Sequence, residues 1–269
     1  MTIPQFRKIV WKHYEEQGRH SLPWRKTKDP YRILVSEVML QQTQVDRVLP
    51  YYRAWFTAYP TIKKLAEAPL KDVLTHWQGM GYNRRAKMLH EAAKVVVRDC
   101  RGKMPASVQE LEKLPGVGNY TARAIAAFAH NQDVVFIETN IRTVVTHHFF
   151  TDSEVVSDAE IFEVIERALP KGSAREWYAA LMDYGAFLKR SGIRINAKSK
   201  SYTKQSVFAG SGREVRGAIV RELTTRPATK QQLVKLFGTE REPQIITQIQ
   251  KLLNEGIIEK LGRSYRLPM

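Results

Sequence analysis

From Pro4 to Arg190 the apolar positions recur mostly at spacings of three and four, interrupted by short breaks of Pro and Gly. That period predicts a succession of amphipathic helices, so the main body of the chain reads as mainly α. Two Ser-x-x-Glu patterns mark expected helix starts: Ser107 with Glu110 before LEKL, and Ser173 with Glu176 before WYAALMDYGAFLKR. Each reads as a capping box, hydroxyl and carboxylate satisfying free amides at a helix start. The stretch 191–212, SGIRINAKSKSYTKQSVFAGSG, is basic, Gly/Ser-rich and aperiodic, the pattern of a linker or surface loop. Beyond it, REVRGAIVREL, TKQQLVKLFG and PQIITQIQKLLNEG have helical spacing, and IIEKL and SYRL flank a turn at Gly262–Arg263. Three helices and a hairpin describe a winged helix, which divides the chain into a body at 1–190, a linker at 191–212 and a module at 213–269.

Charge sharpens this picture. The 269 residues carry a formal net charge of +16, and from Arg190 onward 16 Lys/Arg face 6 Glu and no Asp, leaving +10 there. A surplus this large favours a polyanionic partner, nucleic acid before membrane. The C-terminal module is expected to grip a DNA backbone, with helix 243–254 and the wing facing a groove; a packing or dimerisation module is the alternative. A composition 43% apolar and 10% aromatic suits an ordered globular protein. No run of about 18 apolar residues occurs and the start has no signal-peptide pattern, so a cytoplasmic protein with no membrane segment is expected. Cys100 is the only cysteine, which excludes an internal disulfide, a cysteine-ligated cluster and a structural zinc site. The seven His are scattered, and adjacent His147 and His148 lack helical ligand spacing; no metal is expected.

Residues 114–121 read LPGVGNYT, between the helix of Leu111 and the Ala-rich ARAIAAFA. A short glycine turn between two helices looks like a helix-hairpin-helix. Glycines at 116 and 118 would let the backbone approach a phosphate, and the following helix start offers free N–H groups at a positive dipole end. Gly116, Val117, Gly118 and Thr121 are therefore candidate DNA-backbone contacts; no cofactor is expected, although the hairpin could hold a monovalent cation. Taken alone, PGVG is also a common structural turn.

Upstream, LPWRKTKDPYRILVSEVMLQQTQVDRVLPYY and GMGYNRRAKMLHEAA, together with the hairpin and MDYGAF at 182–187, resemble the helix-hairpin-helix DNA glycosylases, and within them the MutY-type adenine glycosylases. The resemblance runs over roughly residues 5–190. It implies a fold of two helical lobes, one from the middle of the chain and one from both its ends. It implies base-excision repair: hydrolysis of the N-glycosidic bond of a flipped base, with adenine in a mispair of double-stranded DNA as the preferred substrate; a monomer is expected. Two alternatives stay open, a thymine, uracil or damaged-base glycosylase, and a non-catalytic lesion-binding or regulatory DNA protein.

The resemblance also assigns residues. Glu37, a lone carboxylate inside ILVSEVML, becomes the catalytic acid, since adenine leaves poorly unless a ring nitrogen is protonated and burial raises a carboxyl pKa. Glu138 in VVFIETNIRTVV stands where MutY-like enzymes carry aspartate, to offset or attack the positive charge developing on the sugar. That extra methylene is a departure from the family. Asn140 matches the family and would position the sugar or the acid. Tyr120 stands where lyase-active relatives use a lysine nucleophile, so it becomes a wall of the base pocket, and strand cleavage by that route is not expected. Gln41, Gln42 and Tyr82 would enter the duplex, with Arg84 and Arg85 near phosphates. Two family features are missing: the four cluster cysteines after MDYGAF and the 8-oxoguanine-reading C-terminal domain. The basic loop, with Arg194, Lys198, Lys200 and Lys204, and the winged helix stand in their places.

Overall fold

A computed structural model describes residues 1–151, 153–193, 195 and 207–269, so Arg194, Lys198, Lys200 and Lys204 lie outside the described residues. The expected helices form. In chain order they are α1 Ile3–Gln17, α2 Pro30–Leu40, α3 Val45–Ala58, α4 Ile62–Glu67, α5 Leu70–His76, α6 Arg84–Asp99, α7 Val108–Leu111, α8 Asn119–His130, α9 Thr139–Phe149, α10 Asp158–Ala168 and α11 Ala174–Arg190. The C-terminal segment adds α12 Gly212–Thr225, β1 Ala228–Thr229, α13 Lys230–Lys235, α14 Glu242–Asn254, β2 Glu259–Leu261 and β3 Ser264–Arg266. Its strands pair antiparallel in the order β1-β3-β2, with Tyr265 opposite both Ala228 and Lys260. No described helix is long and apolar enough to cross a membrane.

The chain forms two compact units. One comprises Met1–Glu37, Ala106–Lys113 and the chain from Val117 through α11. Its centre is α11, packed on α1, α8 and α9 through an all-buried face of Trp177, Tyr178, Ala180 and Leu181. Phe6 meets Trp177 edge-on at 5.9 Å, and Phe136 stacks on Tyr178 at 4.0 Å. These are the aromatic geometries that add stabilisation beyond area burial. The other unit comprises Val38–Pro105, Leu114–Gly116 and the C-terminal segment. There α6 packs on α4 and α5, and α12 packs on α14 and α5. Residues 213–269, expected as a module apart, thus count with the middle of the chain.

The helix starts show how far local sequence decides. Ser107 caps α7 as expected through the Glu110 N–H at 3.3 Å, while the Glu110 carboxylate accepts from the Ser107 hydroxyl rather than from its amide. The expected box at Ser173 does not form. Ser173 leaves the extended geometry a cap needs (ψ 19°), and its hydroxyl bonds no helix amide. A residue distant in sequence replaces it: Asn131, the left-handed C-cap of α8, accepts the Arg175 N–H at 2.9 Å, and Asp133 accepts the Gly172 N–H. Tertiary packing supplies the cap that the local pattern offered. Capping boxes form instead at Thr2–Gln5, Ser157–Glu160 and Thr229–Gln232.

Candidate active site

Asp29 immediately precedes helix α2 and its Oδ1 accepts the Tyr31 N–H at 2.9 Å, with Pro30 in the first turn where a missing N–H costs nothing. From Ile33 to Met39 every residue is buried, so α2 is enclosed on all sides and Glu37 is its one charge-bearing side chain there. Glu37 is 7% exposed and its Oε2 accepts the Tyr120 hydroxyl at 2.7 Å. Burial lifts its pKa from 4.5 to about 7, against the opposing pull of the Tyr120 hydrogen bond and the charge of Arg25. The hydroxyl of Tyr120, packed edge-on against Phe136 at 5.7 Å, is driven far above the ordinary tyrosine range by burial and by the two neighbouring carboxylates. It remains a hydrogen-bond donor throughout the physiological range.

Glu138 is the N-cap of α9. Its Oε2 accepts the Asn140 N–H at 2.6 Å and its Oε1 the Asn140 side-chain amide at 3.3 Å. Capping and chemistry are compatible here. The longer arm of glutamate folds back to the helix start, which fixes a carboxylate that would otherwise sample many rotamers. Burial pushes its pKa up, while Asn140 and the Lys189 ammonium pull it down. Glu37, Tyr120, Glu138 and Asn140 all belong to the first compact unit, supplied by α2, α8 and the start of α9. The close approach of α11 to α9 depends on Gly185, because a Cβ there would press into the Asn140 carbonyl.

Residues 35–171 match the family described as "HhH-GPD superfamily base excision DNA repair protein". The chain belongs to this superfamily. It is 35% identical to an adenine DNA glycosylase of Mycolicibacterium smegmatis, over 97% of this chain and 94% of the relative. Against an adenine DNA glycosylase of Mycobacterium tuberculosis the identity is 42%, over 64% of this chain and 58% of the relative. Among solved structures, that of a thermostable thymine-DNA glycosylase superposes with a TM-score of 0.59 at 27% identity, covering 68% of this chain and 87% of the other. The protein is a base-excision-repair DNA glycosylase.

The glycosylase hairpin separates its two glycines. Gly116 has φ +74°, and a Cβ there would lie 2.5 Å from that of Met88, so the fold itself demands glycine. Gly118 has an ordinary φ of −89° and open space where a Cβ would be. Among the described residues nothing requires glycine at 118, and no side chain caps the start of α8 that follows it. The Val117 and Thr121 side chains are buried, so only their backbones are left to meet a phosphate.

The remaining candidates lie in the second unit. Gln42 and Tyr82 hold the left-handed conformation at φ 55° and 50°, Gln42 exposed and Tyr82 half-buried, with Gln41 half-buried beside them. A non-glycine residue in that region is uncommon and points to local constraint. Arg84 is exposed. Arg85, expected near a phosphate, is turned inward. Its Nη1 donates to the carbonyls of Val38, Met39 and Gln41 at 2.7, 3.1 and 2.6 Å, and its Nη2 to the Met80 carbonyl. Its guanidinium lies 5.3 Å from the ring centres of both Trp77 and Tyr82, and burial lowers its pKa to about 10. It joins the end of α2 to the 80–82 turn, satisfying carbonyls that a helix end leaves free.

One feature of the first unit has no local signal in the sequence. Asp183, 2% exposed, accepts from the Arg19 N–H at 2.8 Å, from Arg19 Nε at 2.7 Å and from Arg25 Nη2 at 3.4 Å. Arg25 Nε and Nη1 have no partner among the described residues. Arg25 sits in LPWR and Asp183 in MDYGAF; their pairing across 158 positions is visible only in three dimensions.

Proposed function

We propose that the glycosylase removes adenine from mispaired double-stranded DNA, with Glu37 as acid and Glu138 as the carboxylate facing the sugar. What supports the reading is the buried Glu37 carboxyl, held by Tyr120 at 2.7 Å in the same unit as the fixed Glu138 carboxylate. The bond pair leaves with the base, and the base takes the Glu37 proton as it goes. Glu138 offsets the positive charge developing at the anomeric carbon or transiently bonds that carbon, and water then adds its oxygen there, displacing Glu138 where it has bonded, while the proton that water loses returns to the Glu37 carboxylate. A pKa of about 7 suits an acid that must be protonated often yet release its proton readily. The adenine assignment rests on the relatives named adenine DNA glycosylases.

With tyrosine rather than lysine at 120, the enzyme acts as a monofunctional hydrolase. A single cysteine does not fit a cysteine-ligated iron–sulfur cluster, so the enzyme works without one. Gln41, Gln42 and Tyr82 fill the space left by the flipped base, and the Gly118 turn with the α8 start receives a phosphate. The order helix, strand, two helices, two strands supports a winged helix at the C-terminus, carrying the basic excess to the DNA backbone.

The test is base release from duplexes carrying adenine opposite guanine, adenine opposite 8-oxoguanine, thymine opposite guanine, or uracil opposite guanine. Adenine release is expected. Release of thymine or uracil alone would overturn the adenine assignment in favour of a pyrimidine glycosylase, the reading favoured by the thymine-DNA glycosylase structure.

A further inference from the structure

The amide of Asn140 is held between two groups of opposite kind. On one side Lys189 Nζ, from the last turn of α11, donates to Asn140 Oδ1 at 2.8 Å. On the other, Asn140 Nδ2 donates to Glu138 Oε1 at 3.3 Å. An ammonium only donates and a carboxylate only accepts, so this pair dictates which way the amide points. Without the lysine the amide could rotate and turn its oxygen on the carboxylate.

Lys189 reaches this place because of Gly185, one turn earlier on the same face of α11. The missing Cβ at 185 lets the α11 backbone close on the Asn140 backbone, which brings the lysine stem within reach of the Asn140 side chain. Lys189 is half-buried, a costly position for an ammonium unless a carboxylate lies near. Burial lowers its pKa and Glu138 opposes that shift.

We propose that Lys189 is a positioning residue for base excision: it orients the Asn140 amide and, through it, holds the Glu138 carboxylate in a single position. The inference rests on the reading of Glu138 as the carboxylate that faces the sugar. It gives the glutamate, with its additional rotatable bond, a support built from α11. Among the described residues, the charged and titratable groups facing Glu138 are Lys189 from α11, Glu37 from α2 and Tyr120 from α8. Of these only Lys189 carries a positive charge.

Single-turnover base release at saturating enzyme, followed against pH in the full chain, tests the proposal. Lys189→Met keeps the length of the side chain and removes its donor and charge. The rate plateau is expected to fall about tenfold or more, as for a misplaced catalytic group, with duplex affinity changed by less than about threefold. Removing the ammonium makes Glu138 easier to protonate, so the acid limb of the profile should move to higher pH. Lys189→Arg, which keeps donor and charge, should leave that limb in place and recover most of the rate. In a double-mutant cycle, Lys189→Met should cost little more once Asn140 is alanine.

An unchanged plateau and acid limb in folded Lys189→Met would overturn the proposal, as would full additivity with Asn140→Ala. Should Lys189→Met fail to fold, Lys189→Gln carries the same test, and an acid limb left at the wild-type pH overturns the proposal equally. Glu138→Gln separates the two levels. If it retains full activity, the role of Glu138 itself is wrong; if it is inactive while Lys189→Met is normal, only the positioning role falls.

Discussion

Arg213 Nη1 donates to the hydroxyl of Tyr82 at 3.0 Å, with the guanidinium 6.0 Å from the centre of the same ring. This joins the C-terminal segment to the turn that carries Tyr82. Further ties run alongside: Gln78 Nε2 to Thr224 Oγ1 at 3.1 Å, the Lys71 N–H to the Pro268 carbonyl at 3.1 Å, and Lys87 Nζ to the Glu255 carbonyl. Truncation after residue 206 should therefore destabilise the second unit rather than merely detach a DNA grip. The expected outcome is a lower Tm, roughly 2–4 °C for each kcal/mol of stability removed, together with weaker duplex affinity. The slope of log K against log salt should also become shallower, by about 0.9 for each phosphate that the shortened chain no longer neutralises. A truncated protein with unchanged Tm, affinity and salt slope would show that the segment neither braces the turn nor grips DNA.

Glu37→Gln should nearly abolish base release while leaving duplex affinity within a few-fold, because the amide keeps the shape and cannot give up the proton. Retained activity would remove Glu37 from the acid role.

The pH profile carries a second signature of the same site. The acid form of Glu37 is lost as pH rises through about 7, so single-turnover rates should fall on the alkaline side with a midpoint near that value. Tyr120 favours the ionised carboxylate, so Tyr120→Phe should raise the Glu37 pKa further and move the alkaline limb to higher pH. An alkaline limb that does not respond to Tyr120→Phe would mean that another group sets it.

The two hairpin glycines should separate by experiment. Gly116→Ala places a side chain at φ +74° against Met88 and should lower Tm. Gly118→Ala meets no atom of the described residues and should leave Tm unchanged while weakening binding to all duplexes alike. Full duplex affinity in Gly118→Ala would argue against phosphate binding at this turn.

Gly185→Ala should push α11 away from the start of α9, costing about 1–3 kcal/mol of stability as overpacking does. The same displacement disturbs Asn140, so the excision rate should drop further than the loss of folded protein explains. Active-site titration against thermal melting separates the two effects.

The sequence by itself determined the helical body, the hairpin between α7 and α8, the three helices and the last two strands of the C-terminal segment, and the burial of Glu37 within its helix. These follow from local causes. Apolar spacing sets helices, glycine permits the φ +74° of the hairpin, and a carboxylate within an apolar run is buried with its helix. Tertiary structure alone decided where the polar groups found partners. Asn131 caps α11 in place of Ser173, Arg85 turns from solvent to the carbonyls at the end of α2, and Asp183 gathers Arg19 and Arg25. Lys189 reaches Asn140 from 49 positions away, and the C-terminal segment packs with the middle of the chain. The physical reason is common to all of them. A buried donor or acceptor must be satisfied by whatever packing brings within about 3 Å, and that neighbour is chosen by the meeting of distant helices, which no local pattern encodes.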